Sequence, residues 1–252
     1  MIIDNHVHIF PNQADPCGYL DVATYARQLQ ESVGTFFGRM LTSHLDPRYI
    51  PRPDEDVGFY VGKYARYHWN KHGEDCWLQR GPVAMETLAH SPEQMLAHMD
   101  FVGVDKGIIQ AGYMESNYGR EVFFADAIKR YPDRLIGTVG IEYDMTKDDD
   151  YLQGEIAKLT RGVEELGHKG LFSHVPRGQH VDDPRAEPLW EEVVRLDVPT
   201  FINTGFNSKA DYLDEIKRIG KLLEKFPTLT VIDAHIGANI RHPKDPEYVD
   251  NP

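Results

Sequence analysis

The strongest restriction on the fold is a regular alternation that begins at Ser91. Ser91-Pro92-Glu93-Gln94 reads as a helix start, with Ser at the N-cap, Pro at the first helical position and Gln at the third. Met95, Met99 and Val102 follow at helical spacing, and Gly103-Val104 ends the segment. A strand is expected over 106–111, a helix over about 120–131 closed by Pro132, and a strand over 135–141. Leu152, Ile156, Leu159, Val163 and Leu166 stripe an amphipathic helix, with Gly167 just past its end. A strand over 169–174, a helix over about 187–196 and a strand over 199–204 come next. Tyr212, Ile216, Ile219, Leu223 and Phe226 stripe another helix, before a strand over 230–235. Such alternation builds βαβ units on a parallel sheet. No Gly-x-Gly-x-x-Gly turn follows the first strand, which argues against a dinucleotide fold.

An α/β fold of the (β/α)8 TIM-barrel kind fits, and 252 residues would form one such domain. With residues 2–10 included, six strands are found, whereas a closed barrel needs eight. Six strands left open would expose two apolar edges. The expectation is therefore a single barrel domain over 1–252, cut short or with its later residues unrecorded. An irregular insertion over about 11–90 interrupts it. Residues 21–32 read as a helix within that insertion. The stretch 44–82 is rich in Pro, Gly, arginines and aromatics, among them Tyr49, Phe59, Tyr67, Trp69 and Trp77. Loops this long are usually functional or disordered, and the aromatic content speaks against disorder. A lid over the site and an interface to a second subunit are both compatible with it.

The first strand carries the most pointed chemistry. In Ile2-Ile3-Asp4-Asn5-His6-Val7-His8-Ile9-Phe10, His6 and His8 share a face, because side chains alternate along a strand. Two imidazoles so placed reach one metal ion about 2.0–2.1 Å from each nitrogen. His174, Asn203 and His235 also fall at the C-terminal ends of their strands, where barrels carry their sites.

Acidic side chains outnumber basic ones 40 to 27, a net charge of -13, which argues against nucleic acid and anionic membranes as partners. A small anionic substrate remains compatible, since a local cation can override the global field. Cys17 and Cys76 match no zinc spacing and are expected as free thiols in a reducing cytoplasm. The N-terminus has no basic segment followed by an apolar one, so no signal peptide is expected, and no apolar run is long enough to span a membrane.

Ile-Ile-Asp-Asn-His6-Val7-His8 resembles the HxH motif of the amidohydrolase superfamily. The stretches Met99–Lys106, Tyr131–Gly137, Glu165–Gly170 and Phe226–Gly237 are similar, in order and spacing, to its amidohydrolase-2 branch of metal-dependent decarboxylases, hydratases and lactonases. The resemblance covers the first strand and about 90–252. It implies one divalent metal, Zn²⁺ first and Mn²⁺ second, held by His6, His8 and His174. It also implies that His235 lies beside metal or substrate. Two departures matter. Where the decarboxylases have a catalytic histidine this chain has Asn203, which hydrogen-bonds but cannot shuttle a proton at neutral pH. The Gly-Ser/Thr-Asp-x-Pro motif that supplies the family's aspartate ligand is absent.

The resemblance implies a metal-dependent, non-oxidative decarboxylase acting on an aromatic or unsaturated carboxylic acid, with His235 and Asn203 as catalytic candidates. Arg48, Arg52, Arg177 and His180 are candidates for holding the substrate; arginine can grip a carboxylate with two hydrogen bonds. The alternative is a metal-dependent hydrolase of a lactone, amide or ester, for which Asn203 is no obstacle. A third reading is an inactive metal-binding or scaffolding protein. A homo-oligomer, dimer or tetramer, is expected.

Overall fold

The computed structural model describes residues 1–14, 22–110, 120–176, 178–204 and 209–234. Cys17, Arg177 and His235 lie outside the described residues. In chain order the elements are β1 (Ile3–Val7), α1 (Val22–Phe36), β2 (Tyr60–Gly62), β3 (Arg66–Lys71), β4 (Glu74–Gln79), α2 (Pro92–Val102), β5 (Lys106–Ile109) and α3 (Arg120–Arg130). They continue with β6 (Leu135–Gly137), β7 (Val139–Glu142), α4 (Asp149–Glu164), β8 (Leu171–Val175), α5 (Glu187–Leu196), β9 (Thr200–Thr204), α6 (Lys209–Lys225) and β10 (Val231–Asp233). The chain divides into two compact units, Met1–His8 with Met99–Pro252, and Ile9–His98 between them.

The first unit is built on parallel strands. One ladder runs β1-β5-β6 and another β7-β8-β9-β10. β6 and β7 are one extended segment divided at Thr138. The Thr138 N–H and hydroxyl both donate to the Ile109 carbonyl, at 3.1 and 2.7 Å. The Val139 N–H turns the other way, to the Gly170 carbonyl at 2.8 Å. Six extended segments thus lie side by side in chain order, each parallel to the next. That is the connectivity of a (β/α) barrel. No closure between β10 and β1 is seen among the described residues.

Alternation sorts the two faces of the sheet. Val139, Ile141, Leu171, Val175 and Ile202 point outward into a core shared with Leu152 and Leu159 of α4, Leu189, Trp190 and Val193 of α5, and Leu222 of α6. Trp190 is fully buried, lies against the Tyr143 ring and donates its indole N–H to the Val181 carbonyl at 2.9 Å. Phe172, His174, Phe201 and Asn203 occupy the opposite face by the same alternation. The Phe172 ring reaches His6, with centroids 6.1 Å apart, although β1 and β8 are not neighbours in the sheet. The sheet is therefore curved, with this face concave.

The helix boundaries follow local chemistry. Ser91 and Gln94 form a reciprocal capping box at the start of α2. Asp148 caps α4 by accepting from the Tyr151 N–H at 3.0 Å. Gly103 and Gly167 sit at φ +76° and +83°, past the ends of α2 and α4. Gly162 lets α4 approach β7 closely; a Cβ there would stand 2.3 Å from Val139 Cγ2. The expected stripe on α6 needs one correction. Ile216 is exposed, and the buried face runs through Glu215, Ile219, Leu222 and Phe226. Glu215 is a carboxylate at a position where periodicity looks for an apolar residue. It is held inside by the His180 ring and the Val181 N–H, each at 3.0 Å.

The second unit corrects the reading of 11–90 as irregular. α1 buries Leu29 and Val33, and β2, β3 and β4 form an antiparallel sheet. On β3 and β4 the buried side chains are Tyr67, Trp69, Cys76 and Leu78, two apart on each strand. Cys76 is a free thiol, pushed up in pKa chiefly by burial. The β3–β4 hairpin turns at His72-Gly73, both with positive φ, 55° and 78°. Two-residue hairpin turns of this kind favour Asn-Gly, so His-Gly gave a weak sequence cue. No helix among the described residues is long and apolar enough to cross a membrane.

Candidate functional site

The pairing of β1 with β5 shifts register between Asp4 and Val7: Asp4 faces Gly107 and Val7 faces Ile109. The extra residue in β1 is a bulge, a device that re-aims side chains. His6 lies within it, and its ring meets that of His8 with centroids 4.7 Å apart and planes at 76°. Their Nε2 atoms are 2.9 Å apart. On the other side of the ring, His8 Nδ1 lies 2.8 Å from the Gln110 backbone carbonyl. A carbonyl only accepts, so Nδ1 carries the proton, and in the neutral ring Nε2 keeps its lone pair. Gln110 is itself almost fully buried and ties its amide N–H to the Asn5 carbonyl at 2.6 Å. Its Oε1 has no hydrogen-bond partner in the described structure.

This pair suits a metal ion. Two ligands of one tetrahedral ion, each about 2.05 Å from it, lie about 3.3 Å apart, a little wider than this pair. A third imidazole is not gathered with them. Among the described residues no group of three or more His, Cys, Asp or Glu is placed to hold a metal. His174 lies on the same concave face, and the Phe172 ring stands edge-on to both His174, at 5.0 Å between centroids, and His6. The structure thus brings two imidazoles together, with Phe172 in contact with one of them and with a third, His174.

His174 belongs to a second row. Glu142 of β7, His174 of β8 and Asn203 of β9 are register partners at adjacent strand ends. Asn203 Nδ2 lies 3.0 Å from His174 Nδ1. Glu142 accepts from the Tyr151 hydroxyl at 2.5 Å, and its backbone N–H donates to Glu155 at 2.6 Å. Lys158 balances Glu155 at 2.6 Å. Burial first, and then the bond to Glu142, push the Tyr151 phenol up in pKa, so it stays a proton donor. Glu142, Phe172 and Gln110 were not singled out from the sequence. Glu142 could have been found by reading the third strand to its last residue; Gln110 acts through a backbone carbonyl, which side-chain motifs do not reveal.

The remaining candidates are placed as follows. His180 Nδ1 lies 3.0 Å from Glu215 Oε2, and its side chain is part-exposed. Arg48 and Arg52 lie in the second unit, paired with Asp46 at 2.6 Å and Asp54 at 3.5 Å.

A parallel sheet in barrel order, with a histidine pair at the end of its first strand, is an α/β fold of the barrel kind. The chain belongs to the amidohydrolase family, whose model matches residues 3–250. Its fold is accordingly of the TIM-barrel class, with α/β alternation and parallel strands. Among solved structures it is similar to 2,6-dihydroxybenzoate decarboxylase from Rhizobium, at 19% identity over 66% of this chain and 64% of that one, with a TM-score of 0.45. It is similar to 4-oxalomesaconate hydratase from Rhodopseudomonas palustris, at 17% identity over 92% and 62%, with a TM-score of 0.46. A dihydroxybenzoic acid decarboxylase from Polaromonas, described with bound manganese and the inhibitor 2-nitroresorcinol, is 19% identical over 63% of each chain, with a TM-score of 0.41. The chain thus spans less than two-thirds of the length of these proteins. No curated protein sequence matches it.

Proposed function

We propose that the chain is a metal-dependent enzyme that removes carbon dioxide from an aromatic or unsaturated carboxylic acid. The observation that carries this reading is the His6–His8 pair, two Nε2 atoms 2.9 Å apart with the His8 tautomer fixed by the Gln110 carbonyl. His6 and His8 would hold one divalent ion, Zn²⁺ or Mn²⁺, with His174 as the third protein ligand. That ion would supply Lewis acidity to a substrate carboxylate and a neighbouring oxygen.

The chain's own residues do the rest. Phe172, itself buried, packs edge-on against His6 and His174 and helps fix their rings. Loss of carbon dioxide breaks the bond to the ring carbon and leaves the electron pair there, and a proton must take its place. Asn203 cannot bring it. Glu142, on the same row and linked to the Tyr151 hydroxyl, is the proton carrier we assign; His235 is the other candidate. Arg48, Arg52 and Arg177 are retained as candidates for a second substrate carboxylate, and a homo-oligomer as the working assembly.

Asn203 supports a second reading, hydrolysis of a lactone, amide or ester, because water attack needs no proton-carrying side chain at that position. Incubation of the metal-loaded protein with a dihydroxybenzoate panel and a lactone and ester panel separates the two. Release of carbon dioxide supports the first reading and hydrolysis the second. In either case the activity and about one metal ion per chain are expected to vanish in His6→Ala/His8→Ala. Full metal content in that double variant refutes the site.

A further inference from the structure

We propose that Gln110 is a positioning residue: its side-chain amide clamps the bulge of β1 and so holds the His6 and His8 rings against each other. The proposal deepens the reading of these two histidines as the site and rests on it. Asp4 and Val7 are register partners of Gly107 and Ile109, so three steps along β1 are matched by two along β5. A bulge of this kind breaks the ladder and leaves backbone groups without their usual partners. Gln110, the residue that follows β5, meets β1 at three places. Its N–H donates to the Val7 carbonyl at 2.9 Å. Its carbonyl accepts from His8 Nδ1 at 2.8 Å. Its side-chain Nε2 donates to the Asn5 carbonyl at 2.6 Å. These contacts fall on both sides of His6 in the chain.

Two of the three contacts use backbone atoms, and any residue but proline can make them. The third needs this side chain. A carbonyl accepts only, so its partner must donate, and glutamine does so without carrying a charge. That matters at this depth, since Gln110 is only 1% exposed and a charged donor there would be costly. Glutamate, of the same length, would set an acceptor against an acceptor. Methionine would fill the space and release the Asn5 carbonyl. The clamp has a geometric consequence. Residues two apart on a regular strand stand about 6.6 Å from each other. The His6 and His8 rings are closer, at 4.7 Å between centroids. Holding Asn5 on one side of His6, and Val7 and His8 on the other, keeps that gap closed before any ligand arrives.

The test uses the full chain, freed of metal and labelled with ¹⁵N in histidine and glutamine. In wild type the His8 Nδ1 proton and the Gln110 side-chain amide protons are expected to be protected from exchange with water in NMR spectra. Rapid exchange of that amide overturns the proposal without any variant. In Gln110→Met the His8 Nδ1 proton is expected to exchange about tenfold faster, the factor set by the net worth of one hydrogen bond. Ile141→Val, a cavity in the core on β7, is the control for general loss of stability and is expected to leave that proton protected. An unchanged His8 signal in folded Gln110→Met, or equal acceleration in both variants, overturns the positioning role. Zn²⁺ affinity, measured by competition with a chromophoric chelator, separates this from the reading beneath it. If His6→Ala/His8→Ala binds Zn²⁺ like wild type while Gln110→Met loses the Nδ1 protection, the metal reading fails and the clamp stands. If the double variant loses Zn²⁺ while Gln110→Met keeps both the protection and the affinity, the clamp fails and the metal reading stands.

Discussion

The tight approach of α4 to β7 gives a perturbation whose size follows from geometry. In Gly162→Ala the new Cβ would stand 2.3 Å from Val139 Cγ2. Carbon atoms prefer about 3.5–4.0 Å, so the pair is more than an ångström too close. Val139 is fully buried and β-branched, with little freedom at χ1 to swing aside. Overpacking of this kind costs about 1–3 kcal/mol, and this contact belongs at the upper end. Alanine gains about 1 kcal/mol over glycine in helix propensity, which offsets part of it. The expected net loss is about 2 kcal/mol by these terms. Urea unfolding followed by far-UV circular dichroism measures it. The double variant Gly162→Ala/Val139→Ala supplies the control, because the alanine at 162 would then occupy space that the valine methyls vacate. A coupling of about 1 kcal/mol or more in the stabilising direction is expected for residues in direct contact. A Gly162→Ala chain more stable than wild type, or strictly additive effects, would refute the packing argument.

Two further outcomes follow from the phenols and from the α4 cap. Tyr143 and Tyr151 are both raised in pKa by burial first, so their contribution to stability is complete below the unfolded phenol value of about 10 and is lost as the pH rises above it. Tyr151→Phe is expected to flatten the fall of stability above pH 10 and to cost roughly 1.5–3 kcal/mol at pH 7 through the lost bond to Glu142; an unchanged alkaline slope in urea titrations would contradict this. Asp148→Ala removes the N-cap of α4 and is expected to lower stability by about 1 kcal/mol, with Asp148→Asn close to wild type; equal losses in both would show that charge, not the hydrogen bond, matters.

Much of the first unit was legible because its cues are local. The stripe from Leu152 to Val163, the Asp148 cap and the glycines at 103 and 167 each act within a few residues. The shared face of His6 and His8 was legible too, although a bulge in β1 contributes to the result. What escaped the sequence was set by partners far along the chain. Gln110 orients His8 through a carbonyl. Glu215 is buried because His180 and Val181 meet it there. The Phe172 ring touches both His6 and His174, and no spacing rule describes a curved sheet bringing two distant strands together. The antiparallel sheet of the second unit was missed because its hairpin turns on His72-Gly73, a poor match to the usual dipeptide. His235 and Arg177, expected at the site from sequence, lie outside the described residues.

The division of the third extended segment at Thr138 bears on the distance between the two histidine rows. Its first half holds β5, and with it the end that carries His6 and His8. Its second half holds β8, and with it His174 and Asn203. Thr138 is the fulcrum, and the Glu142 row stands four residues up the lever, about 13 Å at 3.3 Å per residue. A bend of about 5° at the fulcrum would swing that row by about 1 Å, by the same strand dimensions. No rotamer need change and no ladder need break. The spacing between the paired imidazoles and the third one is thus an angular setting of the backbone, and side-chain substitutions near Thr138 would tune it as a screw tunes an optical mount.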